Sequence, residues 1–274
     1  MTKHSILKPQ RQNSSLNIAL FLSKDVVFKP SMLETILQLN TAAKISVIVE
    51  CTTPPKKTIG NKRLSPATQW GYIGVLSIAS QILWKKFAHF VCNRININHS
   101  FSLKGIARKH NIPYLYSEDI NSDETLSFCI GQNANVAISF QHQKIKNSTV
   151  LSFDHGFFNI HPSKLPKYRG VKPIHWAALS DDKHFSVSLH TVGPEYDTGE
   201  IWLKKTLPLN KSFSMYNHYH SSHLAAALIV VDFAQNYDFL KNTNKETSSS
   251  SEKYYKALEK EHYAALKKKG WKMF

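Results

Sequence analysis

Cysteine is scarce in this chain: there are three, Cys51, Cys92 and Cys129, odd in number and far apart. No disulfide framework or zinc-ligand spacing follows from such a set, so a reducing cytosol is the expected setting. The chain also lacks any run of roughly 18 apolar residues, the length a membrane span needs. Its start, Met1 to Ser15, is polar and basic without the apolar stretch of a signal peptide. Glycine is thin, at 10 residues, and no glycine-rich loop that could cradle a phosphate is present, which argues against P-loop and classical dinucleotide-binding readings. Acidic side chains are the last shortage. Nineteen Asp and Glu stand against 35 Lys and Arg, and the formal charge of +16 attracts anionic partners: nucleic acid, phospholipid headgroups or a phosphorylated substrate. Charge alone does not choose among them.

What is present describes a folded domain. A chain of 274 residues can bury a proper core as one large domain, or as a main domain with a modest appendage. Leu16 to Leu22 reads as a buried strand, Pro30 to Leu39 as a helix with Ser31 near its start, and Lys44 to Glu50 as a second strand. A helix at Leu103 to His110, a short strand at Tyr114 to Tyr116, a helix from Ser122 and a strand at Asn135 to Phe140 follow. This alternation argues α/β architecture with a mostly parallel sheet.

Pro54 to Ser102 is too long for an ordinary connection. Tyr72, Val75, Ile78, Ile82 and Phe87 fall near helical spacing in it, which predicts a helical hairpin packed on the body; a membrane-surface helix or a lid over the substrate are the other readings. The second half adds strands at Phe157 to His161, Ser186 to Val192 and Ile201 to Leu207, then a long helix from about Ser214 to Tyr237. Asn242 to Ser251 reads as a polar linker, and Tyr254 to Lys269 as a short basic helix whose trailing aromatics suggest docking on the body.

Asn159 and His161 are separated by one residue at the end of a predicted strand, so both side chains project to one face, at the strand edge where α/β sheets bind ligands. The loop Pro162 to Gly170 follows, with two prolines and a glycine, stiff enough to wall a pocket, and a helix begins at Pro173. Asp197 lies in a turn-rich loop, Gly193 to Gly199, from which a carboxylate could meet His161. Histidine as base, asparagine amide as oxyanion donor and aspartate as orienting charge would suit transfer of an acyl-type group to an amine. Scattered in a chain, the same three residue types would mean little. His218, His220 and His223 cluster in NHYHSSH, but with no carboxylate or cysteine near them in sequence a metal site is not expected.

The run NIHPSKLPKYRG, followed by DTG, resembles the 10-formyltetrahydrofolate-dependent formyltransferase family, which includes methionyl-tRNA, glycinamide ribonucleotide and nucleotide-sugar formyltransferases. The resemblance covers roughly Leu16 to Leu207. It implies a Rossmann-like catalytic domain over 16–210 with an insertion at 54–102, and leaves 211–274 as a helical C-terminal extension. It also implies that Asn159 hydrogen-bonds the formyl oxygen, His161 takes the amine proton and Asp197 orients His161, with no metal. The folate would lie between Phe140, Gln141, His142 and Gln143 on one side and Gly193, Glu195 and Tyr196 on the other. Ser163, Lys164, Arg169 and Gly170 would form a substrate loop. Where family members often carry a glycine and a proline, this chain has Phe140 to Lys146 as FQHQKIK.

The expected partners are a folate cosubstrate and a small amine acceptor. Glycinamide ribonucleotide enzymes keep a glycine-rich loop where this chain has Ser23 to Phe28. Methionyl-tRNA enzymes add a barrel, for which the tail reads as too short and too helical. Elimination leaves an amino sugar of a nucleotide-sugar. A methionyl-tRNA-type or uncharacterised acceptor is the alternative, and a non-catalytic polyanion-binding member of the fold a second. Nucleic acid is not the expected partner; a peripheral membrane contact and a homodimer stay open.

Overall fold

The computed structural model describes residues 16–52, 65–95 and 100–274. The polar start and much of the expected insertion, 54–64 and 96–99, lie outside the described residues. The frame is an eight-stranded sheet with strands β1 (Asn17–Ser23), β2 (Lys44–Cys51), β3 (Tyr114–Ser117), β4 (Val136–Phe140), β5 (Phe157–His161), β7 (His184–Thr191), β8 (Gly199–Pro208) and β9 (Glu246–Ser248), in the order β3-β2-β1-β4-β5-β7-β8-β9. The first five are parallel, and β7, β8 and β9 extend the sheet antiparallel. A two-stranded parallel ladder joins β6 (Arg169–Gly170) to β10 (Tyr254–Tyr255).

Burial follows the period of two. Ile18, Leu20 and Leu22 of β1 enter one core, with helices α1 (Lys29–Leu39), α3 (Leu103–Lys109) and α7 (Met215–Lys241) over them. Ala19 and Phe21 enter a second core on the opposite face, beneath α4 (Asp123–Gly131) and α5 (Asn147–Leu151). Because both faces are covered, β1 and β2 read as nearly continuous apolar runs rather than alternating ones. Ser122 caps α4 by accepting from the Thr125 amide, which is why that helix starts where its sequence suggests. The run LAAALIVV in α7 buries Ala225, Ala226, Ile229 and Val230, and small alanines let the helix lie close on the sheet.

Three segments differ from expectation. Residues Pro66–Arg94 form one long helix, α2, broken only at Gly71, where φ is 75°, instead of a hairpin. No Gly or Pro follows Gly74 to turn the chain back. Of the five spaced residues, Val75, Ile78 and Ile82 are half-buried, whereas Tyr72 and Phe87 are 82% and 60% exposed. The presumed linker Asn242 to Ser251 contains β9, which pairs with β8 through its backbone and so needs no apolar side chains. The last helix, α8 (Lys260–Lys268), starts later than Tyr254, whose neighbourhood is spent on β10. Beyond α8 the chain docks as its aromatics suggest: Trp271 and Met273 are buried, and the Met215 amide donates to Lys272 O at 2.8 Å. They join a third core with Tyr168, Leu266 and residues of α6 (Pro173–Leu179). Residues 211–274 thus contribute a strand to each sheet as well as helices.

Candidate active site

A cavity of about 830 Å³ opens where the carboxyl ends of β4 and β5 meet the loop between β7 and β8. Asn159 and His161 reach it from the end of β5, two residues apart on one face as the alternation requires. Asp197 enters from the β7–β8 loop, its backbone left-handed at φ 58°, a conformation Asp tolerates better than most side chains. Its Oδ1 lies 3.3 Å from His161 Nδ1, and its Oδ2 accepts from the Gly170 amide at 2.7 Å. The carboxylate is therefore held on two sides before any ligand arrives.

His161 Nε2 stands 3.3 Å from Tyr168 O. Both ring nitrogens thus face oxygens that can only accept. A neutral ring can donate to just one of them, and Asp197, being charged, has the stronger claim on the Nδ1 proton. Nε2 then carries its lone pair, and a proton taken there finds an acceptor already in place.

Asn159 is fixed just as firmly. Its Oδ1 accepts from Ser139 Oγ at 2.7 Å, and its Nδ2 lies 3.3 Å from His190 Nε2. His190 Nδ1 donates to Thr191 O at 2.7 Å, so Nε2 is left as an acceptor for the Asn159 amide. Burial lowers the His190 pKa and keeps the ring in the neutral form this chain requires. The second amide proton of Asn159 remains for a ligand oxygen. Neither Ser139 nor His190 was singled out from sequence. They flank Asn159 in register, on β4 and β7, and only strand pairing reveals it.

The expected folate wall is assembled on the same cavity. Phe140, Gln141, His142 and Gln143 line it on one side, and Gly193, Glu195 and Tyr196 on another. In place of glycine and proline, glutamine amides shape the first loop: Gln143 Nε2 donates to Thr52 O and Glu118 O, and Gln141 Nε2 to Gln143 O at 2.9 Å. At Gly193 a Cβ would fall 2.2 Å from Thr198 Oγ1, so the facing loop closes only around glycine. Two lysines add charge. Lys29 is buried, donates to Phe140 O and has its pKa lowered by burial to about 7; burial takes Lys172 to about 8. His142 is pushed down to about 4 by burial and by Lys29, Lys172 and His161.

The expected substrate loop divides. Gly170 lines the cavity, whereas Ser163 is buried beneath it, with its carbonyl accepting from Ser188 Oγ, and Lys164 lies outside the lining. Arg169 is almost fully buried and donates to Tyr196 O, Ser249 O and Glu252 O, with Glu195 beside it. It ties the Asp197 loop to the chain end. The histidines of α7 are packed rather than clustered: His218 meets Asn210 O, and His223 stacks on Phe28 and meets Tyr219 O.

Residues 117–231, which supply all of these catalytic candidates, match the sequence profile of the family described as formyl transferase. The match covers 115 of the 274 residues. Curated relatives match over a similar length. Methionyl-tRNA formyltransferase of Thermotoga maritima is 36% identical over 109 residues, 39% of this chain and 35% of that protein. The bifunctional polymyxin resistance protein ArnA of Wigglesworthia glossinidia brevipalpis is 34% identical over 101 residues, 36% of this chain and 15% of that one. The chain therefore matches about a third or less of the length of these relatives. Among solved structures, glycinamide ribonucleotide transformylase 1 from Symbiobacterium toebii superposes with a TM-score of 0.54 at 13% identity, over 84% of this chain and 92% of that one. A formyltetrahydrofolate deformylase from Pseudomonas syringae pv. tomato gives 0.54 at 16% identity, over 84% and 62%. The α/β fold of the formyl transferase segment and its flanks is thus a formyltransferase fold.

Proposed function

We propose that the protein transfers a formyl group from 10-formyltetrahydrofolate to a primary amine, with Asn159, His161 and Asp197 as the catalytic set. The observation that carries this reading is the approach of Asp197 Oδ1 to His161 Nδ1, with Asn159 on the same strand face, at the rim of a large cavity within a formyl transferase segment. The bound donor supplies an electrophilic carbon. Asn159 Nδ2 donates to the oxygen that gains charge as the amine attacks, while its Oδ1 stays on Ser139. His161 Nε2 takes the amine proton, and the resulting cation donates to Asp197 and Tyr168 O together until the tetrahedral carbon collapses, its bond to the folate N10 breaks and N10 receives that proton, releasing tetrahydrofolate and the formamide. The 140–143 and 193–196 loops would hold a flat ring with polar edges between them, and Gly193 keeps backbone groups at that surface.

For the acceptor, an amino sugar carried on a nucleotide is the favoured class. Lys29 and Lys172 on the cavity wall suit a diphosphate, as does the overall positive charge. Methionyl-tRNA is the second reading, favoured by the names of most of the curated relatives and by the same charge. Incubation with 10-formyltetrahydrofolate and a panel of nucleotide-linked amino sugars and methionyl-tRNA, read by mass for one added formyl group, tests both. A formylated nucleotide-sugar is expected. Formylation of the tRNA alone favours the second reading, and a panel left unmodified, with the donor intact, overturns the proposed catalysis.

A further inference from the structure

Helix α2 divides its apolar residues between two faces: Ile78 and Ile82 are half-buried toward the body, and a second row stays exposed. The side it turns to the body is held by polar and small residues: Lys85 Nζ donates to Val26 O at 2.7 Å and Val27 O at 3.2 Å, Gln81 accepts from Tyr216 OH at 3.0 Å, and His89 lies 3.3 Å from Ser102 Oγ. Gly74 sits against Phe274, where a Cβ would come within 2.8 Å of the Phe274 Cβ. These positions, all after the break at Gly71, share one helical face.

The opposite face carries Ile73, Leu76, Leu83, Trp84, Phe87 and Phe90, each between 60% and 79% exposed. At about 1.5 Å per residue the stripe runs about 26 Å from Ile73 to Phe90. A monomeric protein seldom leaves so continuous an apolar row to water, and such rows mark docking surfaces.

The charge around the row selects the occupant. Helix α2 contains no Asp or Glu in its 29 residues, while Lys86 and Arg94 are exposed along it. Lys104 and Arg108 act electrostatically on His89 near its end, and the lysine-rich α8 packs against it elsewhere. Two copies of this surface would bring like charges together, in a chain whose formal charge is already +16. Aromatic and aliphatic side chains in a straight row, flanked by cations, suit a helix lying in the interface of an anionic bilayer, with rings among the acyl boundary and ammonium groups at the phosphates. Among the described residues no helix is long and apolar enough to cross a membrane, so the contact would be one of lying on the surface.

We propose that the outer face of α2 docks the protein on an anionic phospholipid surface. The inference stands on this helix alone and does not depend on the reaction. Trp70, which opens α2, also lines the cavity, so a docked protein holds its cavity close to the membrane.

Flotation of the full chain with phosphatidylglycerol–phosphatidylcholine vesicles, against pure phosphatidylcholine vesicles, provides the test. The protein is expected to float with the anionic vesicles and to stay in solution with the neutral ones. The Leu83→Glu/Phe87→Glu variant, checked for an unchanged circular dichroism spectrum and melting temperature, should bind at least about tenfold more weakly. Acyl chains brominated near the headgroup should quench part of the fluorescence, and Trp84→Phe should abolish that part. Absence of vesicle binding overturns the proposal. So does equal binding by the double variant, which would assign the attraction to other basic surfaces, and so does a dimer in solution that the double variant dissolves while vesicles capture nothing.

Discussion

Replacing Asp197 by Asn tests the geometry of the proposed site with almost no change in shape. The Gly170 amide donates to Asp197 Oδ2 at 2.7 Å, so the oxygen of an asparagine must occupy that place and its NH2 must turn toward His161 Nδ1. Nδ1 would then have to accept, the ring proton would move to Nε2, and Nε2 would donate to Tyr168 O. The basic atom is thereby capped. The substitution also removes a charge 3.3 Å from the imidazolium, an interaction of about 5 kcal/mol at an effective dielectric of about 20. As the ceiling for nearly buried partners, that figure corresponds to between three and four decades. Loss of kcat on the order of 10²–10⁴-fold is expected in single-turnover formyl transfer at neutral pH. The melting temperature should change little, because the Gly170 contact survives and Asn tolerates the left-handed backbone at this position. A D197N protein that melts normally and turns over within about threefold of the parent refutes the assignment.

Acid should destabilise the fold before carboxylates titrate. Burial lowers the pKa of His142 and His223 to about 4 and holds that of His175 well below its ordinary value, whereas an unfolded chain titrates histidine near about 6.5. Groups depressed on folding give stability that is complete above the unfolded value and is lost as pH falls toward the folded one. Urea midpoints should thus fall as pH drops from about 6.5 to 4, below a gentler rise above pH about 7 that the buried Lys29 and Lys172 impose; a midpoint at pH 5 equal to that at pH 7 contradicts this. Arg169→Lys should loosen the Asp197 loop, since one ammonium cannot reproduce the planar fork that reaches Tyr196, Ser249 and Glu252. Faster amide hydrogen exchange at 195–199 and 248–255 is expected, and unchanged protection there counts against the clamp.

The strands of the body were legible because burial on both faces leaves continuous apolar runs, and the pair Asn159 and His161 because alternation alone puts them together. Their supports were not. His190 acquires its meaning only opposite Asn159, a relation set by antiparallel register 31 residues away along the chain. Helix α2 misled for a different reason: its apolar residues run round most of the helix, so spacing alone does not pick the packing face, and the polar contacts to the body fall to Gln81, Lys85 and His89. The strand at Glu246–Ser248 is hidden in polar sequence because an edge strand is held by its backbone. Arg169 read as a ligand-facing cation, whereas its partners are carbonyls of a segment about 80 residues later, invisible to local pattern.

Gly170, whose amide steadies Asp197, is itself paired with Tyr255, and Ser248 Oγ donates to the Asp197 carbonyl. During synthesis, then, a nascent chain that has already produced Asn159, His161 and Asp197 holds only the parts of the proposed site. The parts lock together when residues 246–255 emerge from the ribosome and thread into their two ladders, which defers assembly of the proposed site until about 50 residues after Asp197 have been made.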